Sequence, residues 1–182
     1  MSPPGVSVVI VNWNTRDMVL RMLGTLSVPD GESTHSLELI VVDNDSSDGS
    51  VEAIRREFPA VTVVAQNENR GFAGGVNPGV DAATQPLVLL LNSDAETSRA
   101  SIAESAQYMA DFPEVGILGP RILNPDGSPQ PSCWRDPSLL WMALTAVGLS
   151  RLKPLSPLGP FGSPNYAVLD VMSRCSRRTQ AL

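Results

Sequence analysis

An apolar run with an acidic tip occurs twice in this chain, as Leu37-Glu38-Leu39-Ile40-Val41-Val42-Asp43-Asn44-Asp45 and as Leu87-Val88-Leu89-Leu90-Leu91-Asn92-Ser93-Asp94-Ala95-Glu96. Such runs are typical of parallel strands that are buried on both faces. Parallel neighbours place their carboxyl ends at one edge of the sheet, where open α/β sheets bind their ligands. Carboxylates gathered there repel one another unless a ligand or a metal cation binds them, so we expect the functional site at that edge.

Predicted strands and helices alternate through residues 6–120. The predicted strands are Val6–Val11, Leu37–Val42, Val61–Ala65, Leu87–Leu91 and Val115–Leu118. The predicted helices begin at Thr15, after the caps in Ser46–Ser50, after the loop Gln66–Gly75, and near Ala100. Apolar spacing places Met18, Met22, Leu23 and Leu26 on the inner face of the first helix. Pro78 is tolerable only in the first turn of the third helix. This order predicts an α/β fold with a mostly parallel sheet and right-handed crossovers.

The composition favours one soluble globular domain. The 182 residues are 42% hydrophobic, which suffices for a core, and the formal net charge of -6 argues against a nucleic-acid-binding protein that relies on a general positive field. Cys133 and Cys175 fit no metal-ligand spacing, and the N-terminal residues lack the charged and apolar regions of a signal peptide. We therefore expect a cytoplasmic protein.

The character of the sequence changes after Gly119. Asn124-Pro125-Asp126-Gly127 predicts a turn, and Ser128–Pro131 predicts an extended edge or loop. The apolar segment Ser138–Leu152 is shorter than the roughly 20 residues that cross a bilayer, so it is interpreted as a buried helix, with a membrane-surface or partner helix as the alternative. Residues 153–182 predict a Pro- and Gly-rich loop and a disordered basic tail. The expected domain is therefore 1–152.

Four polar clusters are candidates for the site, and each has a structural alternative. Asn12-Trp13-Asn14 could cap the first helix or contact a base or ribose. Asp43 could be a turn residue or accept a hydrogen bond from the imide N–H of uracil or thymine. Asn69-Arg70-Gly71 could be a flexible connection or an anion site, because glycine lets backbone N–H groups approach an anion. Asn92-Ser93-Asp94 could end a strand or, through Asp94, bind Mg²⁺ or Mn²⁺ that also binds the phosphates of a nucleotide.

Five segments in series resemble the inverting glycosyltransferases of family 2, and most closely their bacterial rhamnosyltransferase-like branch. The matching segments are Val8–Asn14, Val41–Ser50, Asn67–Ala73, Leu90–Glu96, and Val115–Pro120 with Asn124–Gly127. The resemblance implies a Rossmann-like GT-A sheet with its core at about residues 6–120, and a UDP- or dTDP-sugar whose pyrimidine is read by Asp43. It also implies that residues 92–94 occupy the position of the Asp-x-Asp metal motif. Asn92 replaces the first Asp, so Asp94 carries most of the Mn²⁺ or Mg²⁺ binding.

The expected nucleotide-sugar site comprises Asn12, Trp13, Asn14, Asp43, Asn69, Arg70, Gly71, Asn92 and Ser93. The resemblance further implies inverting transfer to a hydroxyl of a glycan or a lipid-linked glycan, as in cell-wall polysaccharide biosynthesis. Peripheral association with the inner face of the plasma membrane, and self-association through an uncovered apolar helix, stay open.

The general base of the resembled family lies in a later acidic motif that this sequence does not contain. Leu169–Ser173 resembles the approach to the acceptor loop, and from Arg174 onward the resemblance stops. We expect a chain truncated before the acceptor-side half, through a reading frame shifted or cut near Met172–Arg174. No catalytic base is assigned, since the position of Asp170 favours a structural role.

Two alternatives remain beside a glycosyltransferase. The first is a non-catalytic remnant that binds a nucleotide sugar. The second is a phosphotransfer enzyme of the haloacid dehalogenase type, because Val41–Ser46 loosely matches its nucleophile loop. That type places its nucleophile on the first strand and needs a Lys and a later acidic pair, which cannot be placed in this sequence.

Overall fold

The computed structural model describes residues 3–28, 36–124 and 126–130. The elements in chain order are β1 (Val6–Asn12), α1 (Arg16–Ser27), β2 (Leu37–Asp43), α2 (Ser50–Glu57), β3 (Thr62–Ala65), α3 (Gly71–Ala82), β4 (Leu87–Asn92) and α4 (Arg99–Asp111). In this part of the chain the strands form one four-stranded sheet in the order β3-β2-β1-β4, and every pair is parallel. The predicted alternation of strands and helices around a parallel sheet is confirmed.

The strand register brings the polar tips to one edge of the sheet. Asn12 at the end of β1 pairs with Asp43 at the end of β2, and Val11 pairs with Asn92 at the end of β4. Because all three strands run in the same direction, their carboxyl ends lie side by side with β1 in the middle.

One face of the sheet packs against α1, α2 and α4. The buried residues of this cluster include Val8, Ile10, Val19, Leu23, Leu26, Val41, Ile54, Ile102 and Ala106. The prediction that Met18 points inward is wrong: 45% of Met18 is exposed, whereas Val19 is fully buried. The buried stripe of α1 runs through positions 19, 22, 23 and 26, and Met18 lies beside it.

Helix α3 covers the other face of β1 and β2. It begins at Gly71, earlier than predicted, so Pro78 stands inside the helix rather than in its first turn. Proline has no N–H to donate to the carbonyl of Gly74, four residues back. The side chain of Gln66 compensates, because its Nε2 donates to the Gly74 oxygen at 3.2 Å. A tertiary contact thus stabilises a helix that local sequence rules disfavour.

The prediction that both apolar runs are buried on two faces is correct for β2 only. In β4, Leu87, Leu89 and Leu91 are partly buried, whereas Val88 is 42% and Leu90 is 47% exposed. These two side chains share the sheet face on which α3 lies, and α3 packs on β1 and β2. Within the described residues, that face of β4 is uncovered.

Residues 115–124 and 126–130 belong to a second compact unit, separate from residues 3–114. The strand predicted at Val115–Leu118 is wrong, because these residues pair with none of the described strands and Ile117 is 93% exposed. The turn prediction is confirmed: the Gly127 N–H donates to the Asn124 oxygen at 2.8 Å, and Leu123 forms an antiparallel bridge with Pro129. Gly127 has φ +81°, which favours glycine.

The predictions for Ser138–Leu152, for Cys133 and Cys175, and for the basic tail concern residues outside the described ranges. The limits of the predicted domain, 1–152, therefore stay a prediction. No helix in the part of the chain that the structure describes has both the length and the hydropathy of a membrane span.

Two glycines let α3 approach the sheet closely. A Cβ on Gly79 would lie 2.3 Å from Val9 Cγ1, and one on Gly75 would lie 2.7 Å from Val11 Cγ1. We expect Gly79→Ala to lower the free energy of unfolding by about 1–3 kcal/mol, because the helix must move away from a packed sheet. Gly24→Ala in α1 is the matched control, since a Cβ at Gly24 would have nothing within 4 Å.

In urea denaturation, Gly24→Ala should instead stabilise the protein by about 0.5–1 kcal/mol, through the higher helix propensity of alanine. Equal effects of the two substitutions would contradict the close packing of α3.

Candidate functional site

Asp43 lies at the carboxyl end of β2 and is 2% exposed. Its Oδ1 accepts a hydrogen bond from Asn12 Nδ2 at 2.8 Å, and its Oδ2 accepts one from the Ser46 N–H at 2.9 Å. The structural interpretation of Asp43 as a turn residue is thus correct. A carboxylate oxygen has more than one lone-pair site, so these bonds leave acceptor capacity for a ligand. Its contact with a pyrimidine stays a prediction.

Asn12 joins the ends of β1 and β2. It is fully buried, and besides Asp43 its Nδ2 contacts Ser46 Oγ at 3.1 Å. Its Oδ1 accepts a hydrogen bond from the Thr15 hydroxyl at 2.7 Å. The two hydrogens and the oxygen of the amide are therefore all engaged, and Asn12 acts inside the protein rather than on its surface.

Trp13 and Asn14 form the turn between β1 and α1. Asn14 has φ 52°, its N–H donates to Ser46 Oγ at 2.9 Å, and its Oδ1 accepts from the Ser47 N–H at 2.9 Å. Trp13 is 55% exposed, so its indole is available at this edge of the sheet. An exposed, firmly anchored aromatic ring can pack against a planar base or a ribose.

The segment 69–71 is held by Asn44, a residue that the sequence analysis did not single out. Asn44 is 2% exposed, and its Nδ2 donates to Asn69 Oδ1 at 2.9 Å and to the Gly71 oxygen at 3.0 Å. Its Oδ1 accepts from the Arg70 N–H at 3.1 Å. This loop is therefore fixed to the end of β2, and the flexible-connection alternative is wrong for it.

Two N–H groups at the start of α3, those of Arg70 and Gly71, are already engaged. The Arg70 N–H donates to Asn44, and the Gly71 N–H donates to Asn69 Oδ1 at 2.8 Å. The Arg70 side chain forms an exposed ion pair with Glu68, with Nε and Oε1 2.8 Å apart. An exposed pair of this kind contributes about 0–1 kcal/mol, so the guanidinium can exchange Glu68 for a stronger anion.

The turn after β4 carries the predicted metal triplet. Asn92 and Asp94 are exposed and Ser93 is partly buried. The Ala95 N–H donates to the Asn92 oxygen at 3.1 Å and closes the turn. Ser93 Oγ lies 2.7 Å from Thr15 Oγ1, which connects this turn to the start of α1.

Asp48 caps two helices at once. Its carboxylate accepts from the Arg16 N–H at 2.9 Å and from the Ser50 N–H at 3.1 Å, at the first residues of α1 and α2. Burial raises the pKa of Asp48, but the hydrogen bonds from Ser50 and Arg16 outweigh it and hold the pKa below its ordinary value. The predicted caps within Ser46–Ser50 are confirmed in Asp48.

The structure thus brings three of the four clusters into one hydrogen-bonded edge, Asn12-Trp13-Asn14, Asp43 and the Ser93 turn. The fourth, Asn69-Arg70-Gly71, joins it through Asn44. Thr15 and Asn44 were missed as members of this edge. The sequence does carry one indication of the role of Asn44: it is a polar residue that directly follows Asp43 at the end of a buried strand.

No group of three His, Cys, Asp or Glu side chains that could hold a metal ion occurs among residues 3–28, 36–124 and 126–130. In the turn after β4, Asp94 is the carboxylate that would bind a cation, together with groups brought by a ligand. This donor set fits Mg²⁺, which usually binds one or two carboxylates together with substrate phosphates rather than a cage made only of protein.

Two solved structures share this fold. TarS of S. aureus in complex with UDP-GlcNAc matches with a TM-score of 0.56 and 20% identity, over 69% of this chain and 37% of that chain. The mannosyltransferase PcManGT of Pyrobaculum calidifontis in complex with GDP-Man and Mn²⁺ matches with a TM-score of 0.55 and 26% identity, over 68% of this chain and 37% of that chain. The sheet therefore has the Rossmann-like architecture of GT-A proteins.

Sequence comparison identifies the family. An N-acetylglucosaminyl-diphospho-decaprenol L-rhamnosyltransferase of Mycobacterium tuberculosis is 28% identical over 165 residues, which cover 85% of this chain and 52% of the relative. This chain thus spans about half the length of that relative. The family model described as Glycosyl transferase family 2 matches residues 7–135. Because this match covers more than half of the sequence, the chain belongs to glycosyl transferase family 2 and corresponds to the N-terminal part of its relatives.

Proposed function

We propose that this protein binds a UDP- or dTDP-sugar together with Mn²⁺ or Mg²⁺, for inverting transfer of the sugar to a hydroxyl acceptor. The observation that carries the proposal is the single edge formed by Asp43, Asn12, Thr15 and Ser93, with Asp94 exposed beside it, in a family 2 domain. Base, diphosphate and metal ligands are all available at that edge.

Asp43 and Trp13 are the proposed contacts of the nucleoside. The remaining lone pairs of the Asp43 carboxylate accept a hydrogen bond from the imide N–H of uracil or thymine, which cytosine and adenine lack. The exposed indole of Trp13 packs against the base or the ribose, and Asn14 holds the turn in place. TarS, which shares the fold, was solved with UDP-GlcNAc.

Arg70 and Asp94 are the proposed contacts of the diphosphate and of its metal. Arg70 leaves its exposed partner Glu68 to bind a phosphate. Asp94 binds the cation, with Asn92 and Ser93 completing the turn that presents it. The bound cation supplies Lewis-acid stabilisation of the negative charge on the leaving diphosphate. PcManGT was solved with GDP-Man and Mn²⁺.

The acceptor and the general base are not assigned to any described residue. A glycan or lipid-linked glycan is the proposed acceptor, in cell-wall polysaccharide biosynthesis at the cytoplasmic face of the membrane. The rhamnosyltransferase relative is named for a diphospho-decaprenol acceptor. Transfer to a hydroxyl also needs a base that removes its proton.

Calorimetric titration of the purified chain tests the proposal. UDP should bind in the presence of Mn²⁺ more tightly than in EDTA, and ADP should bind more weakly than UDP because it lacks the imide donor. Equal affinity for UDP and ADP, or equal affinity with and without metal, would refute the site.

A parallel assay separates a transferase from a non-catalytic binding remnant. Binding without any turnover of UDP- or dTDP-sugars on lipid-linked acceptors supports the remnant, whereas robust transfer supports the transferase. The phosphotransfer alternative loses its basis, because Asp43 follows the second strand and the chain belongs to family 2.

A further inference from the structure

A chain of polar side chains crosses the carboxyl ends of β4, β1 and β2. Ser93 Oγ lies 2.7 Å from Thr15 Oγ1, Thr15 Oγ1 lies 2.7 Å from Asn12 Oδ1, and Asn12 Nδ2 lies 2.8 Å from Asp43 Oδ1. Thr15 is the central link between the exposed turn at one end and the buried carboxylate at the other.

The chemistry of the groups fixes the direction of these hydrogen bonds. The Asn12 Oδ1 can only accept, so the single hydrogen of the Thr15 hydroxyl goes to Asn12. The Thr15 oxygen must then accept from the Ser93 hydroxyl. Every donor points toward Asp43, an arrangement in which successive bonds strengthen one another.

Helix capping does not account for the geometry of the Thr15 hydroxyl. It occupies the N-cap of α1, where a threonine hydroxyl ordinarily accepts a bond from the helix, yet it makes no side-chain cap bond. Asp48 caps the helix instead by accepting from the Arg16 N–H. The Thr15 hydroxyl is thereby left for Ser93, which lies 78 residues further along the chain.

We infer that Thr15 is a positioning residue for the metal-binding turn, which sets Asp94 at the correct separation from the base-reading carboxylate Asp43. This inference rests on the proposed function. The turn that carries Asp94 is exposed and is tied to the first helix by the bond from Ser93 to Thr15. Without that bond, Asp43 still binds the base, but the cation no longer meets the diphosphate in the same geometry.

The test compares Thr15→Val, which is similar in shape and lacks the hydroxyl, with Thr15→Ser, which retains it. The measured quantity is the ratio of the UDP dissociation constants in EDTA and in Mn²⁺. We expect Thr15→Val to reduce this ratio by about 5- to 10-fold, the effect of one hydrogen bond, and Thr15→Ser to restore it. The dissociation constant in EDTA should change far less, because base binding does not use the turn.

Ser93→Ala provides an independent arm, since Thr15→Val also deprives the buried Asn12 oxygen of its donor and destabilises the fold. Ser93→Ala breaks the link while leaving the bond between Thr15 and Asn12. It should reproduce the reduced ratio, and the double variant should lose no more than either single variant. Additive losses in the double variant, or a Thr15→Val ratio equal to that of wild type, would overturn the inference. In either case, metal-dependent binding of UDP by the wild type would still uphold the proposed function. Failure of the wild type to bind UDP would refute both.

Discussion

Asp94→Ala abolishes the Mn²⁺-dependent part of the affinity for UDP, a loss on the order of 100-fold, if this exposed carboxylate is the protein ligand of the metal. Asp94 is the candidate because it is an exposed carboxylate in the turn after β4. No cluster of three His, Cys, Asp or Glu side chains that could hold the ion occurs among the described residues. Calorimetry of UDP in Mn²⁺ and in EDTA measures the loss.

Glu96→Gln is the matched control for Asp94→Ala. Glu96 is an exposed carboxylate two residues further along the same loop, so its removal changes the local charge by the same amount. We expect the affinity of Glu96→Gln for UDP to remain within about 2-fold of wild type, as for an exposed charge at a distance. If both variants weaken the metal-dependent affinity equally, general charge rather than ligation is responsible.

Asp43→Ala should lower the free energy of unfolding by about 2–5 kcal/mol, an effect seldom produced by a residue at a loop. The substitution leaves two donors without their acceptor, one N–H of the Asn12 amide and the Ser46 N–H, at strand ends where Asp43 itself is 2% exposed. Urea denaturation followed by circular dichroism gives the free energy.

Asp45→Asn is the control for this loss. Asp45 is exposed, and asparagine tolerates its positive φ of 64°. Its unfolding free energy should stay within about 0.5 kcal/mol of wild type. Similar stabilities of Asp43→Ala and Asp45→Asn would show that the buried network does not hold the strand ends together.

The sheet could be predicted from the sequence because its strands are long apolar runs with clear boundaries. The burial of β4 could not, since a run of leucines does not show which of its faces a neighbouring element covers. Val88 and Leu90 are as apolar as the core of β2, yet they are exposed because α3 lies over other strands. The strand predicted at Val115–Leu118 is wrong for a related reason, because a strand needs a neighbouring strand that the local sequence does not reveal.

The clusters of the candidate site could also be predicted, but not the connections between them. Asp43 and Ser93 are visible as polar strand ends, whereas the contribution of Thr15 depends on a contact across 78 residues. The role of Asn44 could not be predicted, because the adjacent Asp43 and Asp45 already account for the acidic end of the strand. Pro78 in mid-helix contradicted the local rule, since the compensating Gln66 lies outside the helix.

The close approach of α3 to β1 constrains how a donor site of this kind can adapt. Side-chain methyl groups of Val9 and Val11 fill the space beside Gly79 and Gly75, so this packing opposes movement of the helix along its own axis. Its first turn cannot slide toward a shorter ligand or away from a longer one. If a nucleotide sugar binds here as proposed, selectivity among donors would depend on the side chains around Arg70 rather than on movement of the helix.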